Sequence, residues 1–164
     1  MDDNDEFSIN DLRKLDDETI KKDINNRGYD LENCKIRGVD ASYLILTEKD
    51  FYPRQKLWIY VKLEDHSFLF SKRPEERQPK LAGQRTGKTL SHSLLARGKP
   101  VIGAGECETD ENNKIIRVNN QSGHYKPLFK NLRESIKNMK EKDLVTEKTE
   151  YFLIEGNTER RIEC

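Results

Sequence analysis

The sequence predicts an α+β domain: a mostly antiparallel sheet packed with an N-terminal helical region and one amphipathic helix near the C-terminus. Three observations carry that prediction. Residues 57–63 alternate side chains at strand period. Residues 101–120 read as a hairpin around a polar turn. Residues 128–139 repeat apolar side chains at helical period.

The elements follow in chain order. Residues 1–7, MDDNDEF, are acidic and polar, and are expected to be a disordered tail outside a single domain spanning 8–164. An acidic start is not a cleavable signal peptide. Ser8 with Asp11 has the spacing of a capping box, and Leu12 and Leu15 follow at helical spacing. Asp16 or Asp17 then caps a second helical turn carrying Ile20 and Ile24, which Gly28 closes. Ile20 and Ile24 are expected to pack an amphipathic face on the core.

Residues 29–47 read as short strands, with Tyr43-Leu44-Ile45-Leu46 the best of them. In residues 57–63, Leu57, Ile59, Val61 and Leu63 share one face, and Trp58, Tyr60 and Lys62 the other. Residues 64–67 make a turn, with His66 solvated in it, and Phe68-Leu69-Phe70 returns as the second strand of a hairpin. Residues 71–88 form a charged loop with Lys72, Arg73, Arg77, Lys80, Arg85 and Lys88, either a plain surface loop or a basic arm for an anionic partner. Within it, GQRTGKT imitates a phosphate loop. GxxxxGK[ST] needs four residues between its glycines, and only three separate Gly83 from Gly87.

VIGAGECET and KIIRVNN flank the turn Asp110–Asn113. Gly103 and Gly105 fall on the same strand face, which predicts that another backbone or aromatic group approaches there. Pro127 suits the first turn of a helix, spanning 128–142, whose stripe is Leu128, Leu132, Ile136 and Met139. Tyr151–Ile154 and Arg160–Ile162, joined across Gly156-Asn157, complete the sheet.

Composition limits the function. The chain has 164 residues, suited to one domain, with hydrophobic residues at 34% and charged residues at 37%. Lys plus Arg equals Asp plus Glu at 30 each, so no basic surplus exists to release counterions from nucleic acid. Cys34, Cys107 and Cys164 form no CxxC pair and are expected to be reduced, as in the cytoplasm. His66, His92 and His124 form no HExxH or Cys/His cluster, so no metal site is predicted. No apolar run approaches the ~18 residues of a membrane span.

Two segments are polar where strands should be apolar. One contains His92, Ser93 and Arg97; the other contains Ser122, Gly123, His124 and Tyr125. If the hairpin pairs in register about its turn, Val101 lies near Asn120, and both segments leave from one end of the sheet. The catalytic candidates are His92, Ser93, His124 and Tyr125, because imidazoles titrate near neutrality and a serine beside one can act as a nucleophile. A triad also needs a group that orients the base, and the spacing names none; Glu106 is the available acid. Ser122, Gly123 and Arg97 are the binding candidates. The alternative is structural: a hydrogen-bonded network that fixes the hairpin to the helix.

KLWIYV, LSHSLLARGKPVIGAGE, NKIIRV and QSGHYKP, in that order, resemble the conserved domain of the plant IQM family of IQ-motif calmodulin-binding proteins. The resemblance covers roughly residues 43–144 and is most specific at His92 to Ala96, Ala104-Gly105, Ser122 to Tyr125 and Pro127. Similar blocks occur in bacterial effector-like and toxin-associated proteins. The resemblance implies a regulatory or protein-binding domain without cofactor, placed in the cytoplasm or secreted into a host cell without a cleavable signal peptide. It does not carry calmodulin binding, since no IQxxxRGxxxR pattern is present. Leu94 and Arg97 depart from the family pattern. An enzyme using His92 and His124 is the alternative, for example one transferring ADP-ribose from NAD.

Overall fold

A computed structural model describes residues 6–73 and 90–164. Ser8 opens it as expected: the Asp11 carboxylate accepts from the Ser8 backbone N–H at 2.8 Å and from its hydroxyl at 3.2 Å. The turn that this cap supports is a single 3-10 turn, Ile9–Asp11. Arg13 then exchanges two backbone hydrogen bonds with Val101, at 2.9 and 3.0 Å, so Leu12 belongs to a tethered extended segment and not to a helix. Helix α1, Asp17–Arg27, starts where Asp16 accepts from the Thr19 N–H at 2.7 Å and ends at Gly28, in the left-handed conformation with φ 66°.

Three two-residue strands follow: β1 (Tyr29–Asp30), β2 (Lys35–Ile36) and β3 (Val39–Asp40), paired in that order. The strand expected at Tyr43–Leu46 is absent. Ser42–Leu44 is a 3-10 turn instead, started where the Asp40 carboxylate accepts from both the Ser42 hydroxyl and its N–H, and only Leu46 bridges to Phe70.

The main sheet has six strands in the order β5-β4-β6-β7-β8-β9. They are β4 (Leu57–Leu63), β5 (Phe68–Lys72), β6 (Val101–Thr109), β7 (Ile115–Asn119), β8 (Val145–Glu155) and β9 (Thr158–Ile162). Every pairing is antiparallel except β7 with β8, which is parallel. Parallel neighbours need a crossover, and α3 (Phe129–Glu141) supplies it. Ser71 and Lys72 belong to β5, so the charged loop starts later than residue 71; residues 74–88 of it lie outside the described residues, as do 1–5.

The alternation of β4 places side chains in two cores. Trp58 and Tyr60 pack with Phe70, Leu153 and the α3 stripe of Leu132, Ile136 and Met139. Ile59 and Val61 pack on the other face with Val101, Tyr125 and the Leu94 and Leu95 of α2 (His92–Leu95). Lys62, on the Trp58 face, is fully buried; its ammonium donates to the His66 carbonyl and lies 4.1 Å from the Phe68 ring centre. Burial lowers its pKa to about 8. Leu128 caps α3 and is exposed, so Pro127 precedes the first turn and does not occupy it.

Both glycines expected to admit a neighbour do so. A Cβ on Gly103 would fall 1.9 Å from Ser135 Oγ, and one on Gly105 would fall 2.0 Å from the Asn119 carbonyl oxygen. The hairpin turn also forms, with Asp110 accepting from the N–H groups of Asn112 and Lys114. Its register differs from the expected one. Val118 sits opposite Cys107 and Arg117 opposite Glu108, so the chain leaves β7 beside Gly105. Val101 pairs with Leu63 of β4 and with Arg13, not with Asn120. β7 is shorter than β6 because Asn119 and Asn120 turn across the space that Gly105 leaves free. No described helix is long and apolar enough to cross a membrane.

Candidate functional site

Helix α1 brings the group that sequence reasoning could not name. Asp23 is the one buried residue of α1, at 2% exposure, while Ile24 is 51% exposed. The face expected to be apolar therefore presents a carboxylate to the interior. Asp23 Oδ2 accepts from the Ser93 hydroxyl at 2.8 Å, and Asp23 Oδ1 lies 3.1 Å from His124 Nε2. Arg27, one turn along, approaches the same oxygen at 3.9 Å. An ionised carboxylate so buried is tolerated only when such partners replace its water. The sequence signal was slight: Asp23 stands three residues after the half-buried Ile20, on the same side of the helix.

α2 places His92 and Ser93. Ser91 caps it, its hydroxyl accepting weakly from the Leu94 N–H at 3.4 Å, and lies 3.0 Å from Ser93 Oγ. Since Ser93 gives its proton to Asp23, Ser91 donates to Ser93. His92 Nε2 lies 2.8 Å from the Gly105 carbonyl oxygen, an acceptor, so that nitrogen carries the proton. Burial pushes the His92 pKa down to about 4; the Gly105 carbonyl opposes this, and the nearby His124 imidazole adds to it. His92 is neutral at pH 7 and is not poised as a base.

The turn after β7 places the other group. The Ser122 hydroxyl accepts from the Tyr125 N–H at 3.2 Å, and the Ser122 carbonyl from Lys126 N–H at 2.9 Å. The Tyr125 phenol is buried and donates to the Lys99 carbonyl at 2.7 Å; burial first, and the charge of Asp23 second, push its pKa up. His124 keeps 15% of its side chain exposed. Gly123 is exposed, and a Cβ on it would meet nothing within 4 Å, so no close backbone approach requires glycine there.

Ser93 and His124 thus meet through Asp23 without a hydrogen bond to each other; the carboxylate stands where a triad would place the imidazole. Arg97 is exposed at the end of α2, on the side of Cys34 and Asp40, away from this cluster. Glu106 is engaged elsewhere, with Arg73 at 2.9 Å and Asn119 at 3.1 Å. Among the described residues no group of three or more His, Cys, Asp or Glu is arranged to hold a metal ion.

The outer rim of the cluster opens onto a cleft of about 730 Å³. Ser122 and Gly123 line it together with Arg13, Lys126, Lys130 and Asn131, whereas His92, Ser93, His124 and Tyr125 do not. Lys130 is held by Asp11 at 3.0 Å, and Arg13 Nε donates to the Tyr125 carbonyl at 3.1 Å. Compared with family models, curated proteins and solved structures, the chain matches none.

Proposed function

We propose that the domain is a protein-binding module that takes an extended acidic segment of a partner in the cleft beside Ser122 and Gly123. One observation supports the reading above the others. The His/Ser cluster spends its hydrogen bonds inside the fold, while the accessible space beside it is lined by three cations, Arg13, Lys126 and Lys130, against two carboxylates, Asp11 and Glu155, of which Asp11 already pairs with Lys130. Carboxylates along an extended peptide complement that rim. The resemblance to bacterial effector-like proteins extends the proposal to a partner met inside a host cell.

The test is fluorescence anisotropy with a labelled oligoglutamate peptide, and an oligolysine peptide as control. Oligoglutamate is expected to bind, and Lys126→Glu to weaken it roughly tenfold, about 1.4 kcal/mol. Gly123→Phe adds a ring at a rim position where nothing obstructs a side chain, and is expected to block binding without unfolding the domain. Equal binding of both peptides would overturn the reading.

The enzymatic alternative, transfer of ADP-ribose from NAD, draws on a different observation. His124 is partly exposed and held by a carboxylate, as an orienting acid holds a general base. Labelled NAD incubated with lysate and either wild type or His124→Ala decides it: transfer by wild type alone supports it, and no transfer by either removes it.

A further inference from the structure

We propose that Ser93 and His124 form a carboxylate-binding site which α1 fills in cis with Asp23, so that α1 is a displaceable strap over a site able to take a ligand carboxylate. This goes beyond the cleft reading, because neither Ser93 nor His124 lines that cleft.

The argument starts from how unequally the two halves of the contact are held. The receiving half is fixed by the body of the domain. Ser93 sits in α2 with its hydroxyl beside Ser91 and its carbonyl accepting from the Gly98 N–H at 2.8 Å. His124 lies within a turn closed by Ser122 and fastened by the Tyr125 phenol to the Lys99 carbonyl. None of those contacts uses α1. The two groups stand 70 and 101 residues from Asp23 in the chain, yet converge on its two oxygens. A hydroxyl donor and an imidazole aimed at the two oxygens of one carboxylate are the elements of an anion site.

Few other side chains of the inserted half reach the interior: Leu15, just before the helix, packs against the core of Val61 and Tyr125, and Ile20 is half-buried. Asp23 is the one buried residue of α1, and Ile24 is half exposed. The helix is strung between anchors at its flanks. Before it, Arg13 pairs with Val101; after it, the Gly28 carbonyl accepts from the Arg37 N–H at 2.7 Å. Gly28, with φ 66°, supplies a hinge. Residues 16–27 can therefore lift away while Leu15 and both backbone anchors stay in place, and the group exposed is the Ser93–His124 pair. A carboxylate brought by a ligand then makes the same two contacts that Asp23 makes.

The experiment is chemical replacement in the full chain. Asp23→Ala removes the internal carboxylate and leaves its receptors. The variant is expected to melt several degrees below wild type, and added acetate to raise its Tm saturably, by more than acetate raises wild type. Formate should act likewise, inorganic phosphate marks the arm for a general anion site, and chloride at equal ionic strength is the control. Asp23→Ala with Ser93→Ala should lose the acetate response. A response no larger than that of wild type or of the double variant overturns the proposal. Asp23→Asn, which keeps the side-chain shape, serves as the second variant. Trypsin should cut it after Lys21, Lys22 or Arg27 roughly tenfold faster than wild type, with Trp58 fluorescence unchanged; unchanged cleavage there overturns the strap. Gly123→Phe, which tests the cleft, leaves both readouts where they are, so the two ideas fail separately.

Discussion

Helices α1 and α3 attach to the body of the domain by opposite means. α3 lays Leu132, Ile136 and Met139 against Trp58, Tyr60 and Leu153; its buried polar residues are neutral, Asn131 and Ser135 being bonded and Asn138 leaving its Oδ1 without a partner among the described residues. α1 leaves Ile24 in solvent and inserts one carboxylate among a hydroxyl and two cationic or protonatable groups. Apolar burial is non-directional and insensitive to pH, so α3 is part of the frame. A buried charge is held only as long as its partners are. The contrast separates an element that defines the fold from one that the fold can release.

Four changes probe that contrast, from largest to smallest. Ile136→Ala should cost about 2–5 kcal/mol, read by chemical denaturation, and should loosen the whole domain and not α1 alone. A small loss confined to α1 would contradict the assignment of α3 as frame. Acid acts next, and on the α2 side it acts through His92. Above pH 6.5 His92 is neutral in both folded and unfolded chains. Between 6.5 and about 4 only the unfolded chain takes the proton, so stability falls with pH, by roughly 3 kcal/mol at the limit, and levels off below 4. His92→Gln should flatten that slope in a pH series of denaturation curves. Gly103→Ala places a methyl against Ser135 and should cost about 1–3 kcal/mol by pushing α3 off β6, measurable by thermal melting. Ile24→Lys should change stability by no more than about 0.5 kcal/mol, since the side chain is half exposed; a larger loss would mean that α1 has an apolar attachment after all.

What the sequence made legible divides along the same line. The α3 stripe, the β4 alternation, the Asp110–Asn113 turn and the two close-approach glycines depend on neighbours in sequence or on one pattern, and each was readable. The parallel pairing of β8 with β7 was not, because the first half of β8, Val145 to Glu150, is largely polar and only Tyr151–Ile154 reads as strand. Tyr43–Leu46 misled because an apolar run resembles a strand whether or not Asp40 turns the chain before it. At the site, His92, Ser93, His124 and Tyr125 were found as residue types, and the structure gathers them. The organising group, Asp23, was passed over because a charged residue between two isoleucines reads as solvent-facing until partners 70 and 101 residues away are known.

The crossover through α3 makes the helix a ruler. β7 runs one way for five residues, about 17 Å, and its parallel neighbour must begin again at the far end. The 13 residues of α3 span about 20 Å, so the helix returns the chain by nearly the distance the strand advanced. One residue added within α3 would rotate everything after it by about 100° and take Met139 off the line of Leu132 and Ile136. Lengthening is tolerable where chain direction is not being measured, as at the Gly156-Asn157 turn between β8 and β9. Homologues of differing length are thus expected to carry their insertions at such turns and to keep the α3 span fixed.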